Sequence, residues 1–242
     1  MIQPLTHADR DDTLAVSDAL MPGYDMPVIV PASAMTHEGF RRWAVSDDFP
    51  DRGLISYLAG EIWIDMSPES LESHNKVKSA LTVGIGRFVD EHDLGEVYSD
   101  RTLITHERAE LSTEPDLTFA TWDTLKSGRL SPVPRKDQRD YKELEGTPDW
   151  VLEIVSDSSV TKDTKRLRRL YHKAGVPEYW IVDARGEEIV LRVLVRQDAD
   201  YSQVTPREGW CASEVFDRLV KIERTRNPVG TWRYHLHFKP KG

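Results

Sequence analysis

Two carboxylates in this sequence sit at the ends of apolar strands. Asp116 follows Pro115 and opens the stretch PDLTFA, and Glu153 lies within DWVLEIVS. Successive strand residues point to opposite faces, so Asp149, Val151, Glu153 and Val155 share one side, and Trp150, Leu152 and Ile154 share the other. A carboxylate flanked by two valines is costly to bury without a partner. A hard divalent cation held through oxygen ligands, as Mg²⁺ requires, is one such partner. The plainer alternative is that Asp116 and Asp149 cap turns after proline while Glu153 pairs with an arginine, since paired carboxylates also occur in structural ion pairs.

Cations gather just downstream. A helix expected from about Ser159 carries Leu167, Leu170, Tyr171 and Ala174 on its apolar stripe. Lys162, Arg166, Arg169 and Lys173 recur at helical spacing beside it, with Lys165 and Arg168 on the shoulders. Read as chemistry, Arg166, Arg169 and Lys173 are contacts for a phosphate backbone; read plainly, they are a solvated face. Lys162 differs from the rest. A cation in the first turn opposes the helix dipole by up to ~1 kcal/mol, and the Glu153 strand runs directly into that turn. His74 lies on the inward side of an earlier helix, seven residues before Leu81. It is either a packing residue or an accessory to the site.

The elements that must position these groups follow from pattern and punctuation. Thr36 caps a short helix in THEGFRRWAVS, and ISYLAGEIWIDM reads as a hairpin turning at Ala59-Gly60. Ser67 and Pro68 are expected to start the next helix, whose core stripe is Val77, Leu81, Ile85 and Phe88. Strands follow at GEVYSD, TLITHE and PDLTFA, and the proline- and glycine-bearing segment 126–148 reads as a loop. The Glu153 strand, the basic helix and the strand EYWIVD come next, with further strands in EEIVLRVLV and TWRYHLHF. The result is an α/β fold with a mixed sheet.

The 242 residues suit one large domain with appendages: an irregular arm over 1–30 and a single domain over 31–242. With 41 acidic against 32 basic residues, the chain lacks the positive field of a dedicated DNA-binding domain. Affinity for nucleic acid then needs a local basic patch or bridging metal ions. No apolar run approaches the roughly 20 residues of a membrane helix, and the acidic N-terminus lacks a signal-peptide pattern. A lone cysteine, Cys211, excludes an intrachain disulfide framework and a thiolate metal cluster. A soluble cytoplasmic protein with no membrane partner is the expectation.

The segment PDWVLEIVS…KDT…Y…AGVPEYWIVDAR, preceded by H…K…L and EPDLTF, resembles the Uma-two family of restriction-endonuclease-like proteins, within the PD-(D/E)XK nuclease superfamily. The resemblance spans about residues 54–185. It implies an α-β-β-β-α-β core, dependence on Mg²⁺ or Mn²⁺, DNA as the nucleic-acid partner and, often, a homodimer. It places Asp116 and Glu153 as metal ligands and His74 at the helix histidine. Two lysine positions of the pattern are departed from, being Val155 and Leu167 here. Lys162 is the expected replacement and Lys165 the next candidate. The function implied is a metal-dependent endonuclease acting on DNA. The alternatives are a catalytically vacant nuclease fold that binds nucleic acid or protein, and a small-molecule phosphodiesterase.

Overall fold

Thr36 accepts a hydrogen bond from the Gly39 amide at 3.2 Å and starts α1 (His37–Ala44) as its cap pattern requires. The computed structural model describes residues 28–134 and 140–242; most of the arm expected over 1–30 lies outside them. After α1, β1 (Leu54–Leu58) and β2 (Glu61–Asp65) pair antiparallel around Ala59 and Gly60. Both turn residues have positive φ, 52° and 93°, the twist a two-residue hairpin needs.

The next helix starts later than its sequence signals indicate. Ser70, not Ser67, accepts the capping bond from Ser73, while Ser67 hydrogen-bonds to Asp65. One π-helical turn, Leu71–Asn75, leads into α2 (Lys76–Glu91), which buries Val77, Leu81, Ile85 and Phe88. Then come β3 (Gly95–Ser99), β4 (Leu103–His106), β5 (Leu111–Thr113), β6 (Leu117–Thr121) and the short α3 (Trp122–Ser127).

Segment 126–148 is not a plain loop. It contributes β7 (Leu130–Pro134) and β8 (Tyr141–Gly146), which pair antiparallel. The alternation there is polar, so apolar periodicity could not reveal it. Glu143 and Glu145 share one face of β8 and grip Arg41 of α1 through four hydrogen bonds of 2.8–3.1 Å. The strand is held by a partner about a hundred residues away in sequence.

After β9 (Trp150–Ile154), a second π-helical turn, Lys162–Leu167, runs into α4 (Arg168–Ala174) and then β10 (Glu178–Asp183). The chain ends with β11 (Val190–Arg196), β12 (Tyr201–Gln203), β13 (Cys211–Ser213), β14 (Arg218–Arg226) and β15 (Trp232–Pro240).

Three sheets result, in the orders β2-β1-β5-β4-β8-β7, β12-β11-β10-β9-β6-β3 and β13-β14-β15. In the second, β3, β6 and β9 are antiparallel neighbours, while β9 and β10 run parallel across the α4 connection. With α2 this is the expected α-β-β-β-α-β core; β4, β5, α3, β7 and β8 are inserted into it. Trp150, Leu152 and Ile154 pack toward α2 and the third sheet, and Val151 and Val155 pack toward α4. The buried Glu178 carboxylate clips the third sheet to β10 by accepting from Ser213, Glu214 and Val215 at 2.6, 2.7 and 3.2 Å. Among the described residues, no helix is long and apolar enough to cross a membrane.

Candidate active site

β6 and β9 pair with Leu117 opposite Leu152. One further step in that antiparallel register sets Asp116 against Glu153, on the face that looks toward α4. The Asp116 carboxylate is fastened there by the Ile154 amide, which donates to Oδ2 at 2.7 Å. On the α2 side, His74 Nε2 lies 3.5 Å from Asp116 Oδ2, and Lys78 Nζ lies 3.3 Å from Oδ1. Burial pushes Asp116 up, but the His74 and Lys78 charges and the Ile154 amide outweigh it and hold the carboxyl below its ordinary range.

Glu153 is 3% exposed and accepts the Tyr171 hydroxyl at 2.7 Å. Its pKa goes the other way. Burial drives it well above the usual carboxylate range, and Asp163 and Asp116 add to the rise against the opposing charge of Lys162. Two acids facing each other across one strand pair are thus pushed apart in acidity, a pattern that marks functional sites.

Lys162 does not lie on the exposed basic stripe. It is 4% exposed, with Nζ 3.6 Å from Asp163 Oδ1. The π-helical turn changes the rotation per residue, so the spacing that lines Lys162 up with Arg166 and Arg169 in an ideal helix does not hold. Burial lowers the Lys162 pKa, but Glu153, Asp163, Asp116 and Asp65 together raise it, so the ammonium stays charged inside. His74 also sits in a π-helical turn, and its pKa is raised because Asp116 and Glu69 outweigh its burial.

The other expected cations are placed elsewhere. Lys165, Arg169 and Lys173 are exposed. Arg166 pairs with Glu61 and lies 5.3 Å from the centre of the Trp63 ring, on the β1–β2 hairpin. Asp149 accepts from the Thr121 amide at 2.7 Å and pairs with Arg129, so it ties β9 to the distant ends of β6 and α3 rather than capping the turn after Pro148.

Three participants were not singled out from sequence. Asp163, 1% exposed, receives the Ser159 hydroxyl on Oδ2 while Oδ1 has no hydrogen-bond partner, and burial raises its pKa to about 6. Glu69 joins His74 and Asp116 in a trio whose ligand atoms lie within 4.8 Å of one another. Lys78 bridges Glu69, Asp100 and Asp116. Signals existed for two of them: Asp163 adjoins Lys162, and Glu69 stands in the SPES segment ahead of the helix. Lys78 is hidden by its place next to Val77 on the inward side of α2.

The donor set suits a hard cation. It offers carboxylate oxygens and one imidazole with no thiolate, and the buried His74 Nδ1 and Asp163 Oδ1 have no hydrogen-bond partner. A cleft of about 200 Å³ lined by Asp65, Glu69, His74, Asp100 and Ser156 opens onto it.

An α-β-β-β-α-β sheet with two acids on facing strands is the frame of the restriction-endonuclease-like nuclease fold. The chain belongs to the Uma2 family, described as "Putative restriction endonuclease", whose model matches residues 37–219. Its fold is also similar to the crystal structure of "a putative nuclease belonging to DUF820" from Anabaena variabilis ATCC 29413. That likeness has 17% sequence identity and a TM-score of 0.56, and covers 75% of this chain and 90% of the other. Among curated proteins nothing matches.

Proposed function

We propose that this chain is a divalent-metal-dependent endonuclease that hydrolyses DNA phosphodiester bonds, with Asp116 and Glu153 as the ligands of Mg²⁺ or Mn²⁺ and Lys162 as its catalytic cation. The observation that carries the proposal is the buried Lys162 ammonium amid the carboxylates of Glu153, Asp163 and Asp116. An ion in that position is too well enclosed to serve solubility, and solvated lysines are almost never placed so.

When bound, a divalent metal polarises the phosphoryl group and lowers the pKa of a coordinated water. The residues of the chain do the rest. Asp116, held by Ile154 and His74, is ionised and ready to coordinate. Glu153, held in orientation by the Tyr171 hydroxyl, would be the second carboxylate ligand. Lys162 stabilises charge that develops on the phosphoryl oxygens. His74 acts as an accessory by fixing Asp116. Arg166, Arg169, Lys173 and Lys165 form the outer cationic surface of the same helix, and the first three are assigned to phosphate contacts in this reading. A cytoplasmic location and a homodimeric assembly belong to the proposal as well, the second drawn from the family resemblance.

One observation favours a second reading, a vacant nuclease fold that binds nucleic acid or protein without cutting. Lys78 already supplies a positive charge to Glu69, Asp100 and Asp116. Incubating the full chain with supercoiled plasmid and with single-stranded DNA, across Mg²⁺, Mn²⁺, Ca²⁺ and EDTA, separates the two. Nicking or linearisation with Mg²⁺ or Mn²⁺ that Glu153→Gln abolishes is the expected result. Intact DNA under every metal supports the vacant fold.

A further inference from the structure

The family match ends at residue 219, so all of β15 and most of β14 lie beyond it. Residues 220–242 carry six Lys or Arg and a single acid, Glu223, in a chain of formal charge −9. Among the described residues, β15 is the edge strand of its sheet, paired only with β14. Trp232, Tyr234, Leu236 and Phe238 pack toward the core, so alternation puts Arg233, His235, His237 and Lys239 on the opposite face. At about 3.4 Å per residue this row is about 20 Å long.

An open groove of about 1000 Å³ runs between β15 and α2, lined by Lys76, Arg87, Glu91 and Arg218 and bordered by the row along the β15 edge. Lys76 pairs with Glu72 and Arg87 with Glu91, each at 2.6 Å. Glu223 is taken up by Lys221 at 2.5 Å and His237 at 3.3 Å, which leaves Arg233 and Lys239 without a carboxylate among the described residues. Cations are also held on aromatic faces. Arg224 and Arg226 lie 4.1 and 3.5 Å from the Trp232 ring centre, and Lys239 lies 4.1 Å from that of Trp210. Stacking fixes such groups in place without neutralising them.

β15 is tied to the π-helical turn that carries His74. The Trp232 amide donates to Glu72 Oε2 at 2.9 Å, and the Tyr234 hydroxyl donates to the Glu72 carbonyl at 2.8 Å. Glu72 is two residues before His74.

We propose that this groove and the Arg233–Lys239 row bind the phosphate backbone of nucleic acid and lead it toward the cleft beside His74. The proposal rests on the nuclease reading above. It meets an electrostatic need of that reading: the cleft sets Asp65, Glu69 and Asp100 against Lys78 and Arg101, which leaves no net positive field, so attraction for a polyanion has to come from a neighbouring surface. A row about 20 Å long spans about six phosphates of one strand. Charge also argues against a second copy of this chain as occupant. Antiparallel pairing of two β15 edges brings rows of cations together, and like charges across strands are destabilising.

The test is fluorescence anisotropy of a labelled duplex of about 20 bp with the full chain in EDTA, from about 50 to 200 mM KCl. Binding in EDTA needs neither metal nor cleavage. The triple substitution Arg87→Gln, Arg233→Gln, Lys239→Gln should weaken binding at least tenfold at the lowest salt. It should also flatten the slope of log K against log salt by about 2 to 3, at about 0.9 per lost phosphate contact. Glu153→Gln should bind like the wild type. Wild-type affinity and slope in the triple variant overturn the proposal, as does a wild type that does not bind duplex at all. Retained DNA binding with a changed mass in sedimentation equilibrium also overturns it, and makes the face a subunit interface. A wild type that binds through the groove yet never cleaves DNA refutes the nuclease reading and supports the groove. A chain that cleaves while the triple variant binds normally refutes only the groove.

Discussion

The carboxylate of Asp116 accepts the backbone amide of Ile154 at 2.7 Å, so the first acid is anchored to the residue that follows the second. This bond removes the freedom of Asp116 to swing toward solvent and presents it to Glu153 before any ligand arrives. The separation in acidity between the two follows from their partners: His74 and Lys78 for Asp116, burial and the Asp163 carboxylate for Glu153.

Lys162→Met should lower DNA cleavage by about 10²-fold or more, the usual loss for one removed electrostatic stabiliser. Lys165→Met, at an exposed position, should change it by less than about threefold. Burial adds a cost: the carboxylates left without their ammonium should destabilise the fold by about 3–5 kcal/mol at pH 8. Near pH 5 protonation of Asp163, whose pKa is raised to about 6, should recover part of this. Thermal melts at the two pH values, alongside single-turnover cleavage, measure both effects. Near-normal turnover in Lys162→Met with loss in Lys165→Met would hand the role to Lys165.

Metal-free stability should fall as pH rises from about 4 to 6. The Asp163 carboxyl is raised from 3.8 to about 6, so over that window the folded chain keeps a proton that the unfolded chain has released. Stability from a raised acid is therefore present at low pH and lost as pH climbs through the folded value. The raised His74 acts in the same direction at higher pH, since its contribution is complete below 6.5 and is lost through its folded pKa. Asp116 acts oppositely, losing its contribution below 3.8. Urea unfolding across pH should show the decline, and Asp163→Asn should flatten the segment between about pH 4 and 6. A stability that rises over that interval contradicts the assignment.

Lys78 occupies the carboxylates that a metal would use, so the two cations compete. Lys78→Met should tighten Mn²⁺ binding by about tenfold, one pK unit's worth of removed repulsion, and should lower the stability of the metal-free chain. Weaker Mn²⁺ binding in this variant would mean that Lys78 organises the ligands rather than opposing the metal.

Wherever local periodicity sets a position, the sequence was legible. The Val77–Phe88 stripe, the opposed faces of β9 and the burial of Leu167, Leu170 and Tyr171 all follow from spacing. What stayed hidden depends on distant partners or irregular turns. β8 is defined by the grip of Glu143 and Glu145 on Arg41, which no local window contains. Lys162 was picked out by its nearness to the Glu153 strand, but its burial depends on a π-helical turn that an ideal helix pattern does not foresee. Ser67 and Pro68 carry the composition of a helix start, yet Asp65 captures the Ser67 amide at 2.9 Å and the helix begins at the next suitable serine.

The claim that Asp116 and Glu153 form a metal site is tested most directly by calorimetric titration of the full chain with Mn²⁺ at pH 7.5. The account predicts saturable binding that Asp116→Asn and Glu153→Gln each weaken at least tenfold, with circular dichroism showing both variants folded. Binding of equal affinity in the wild type and both variants, or no binding to the wild type, would contradict it.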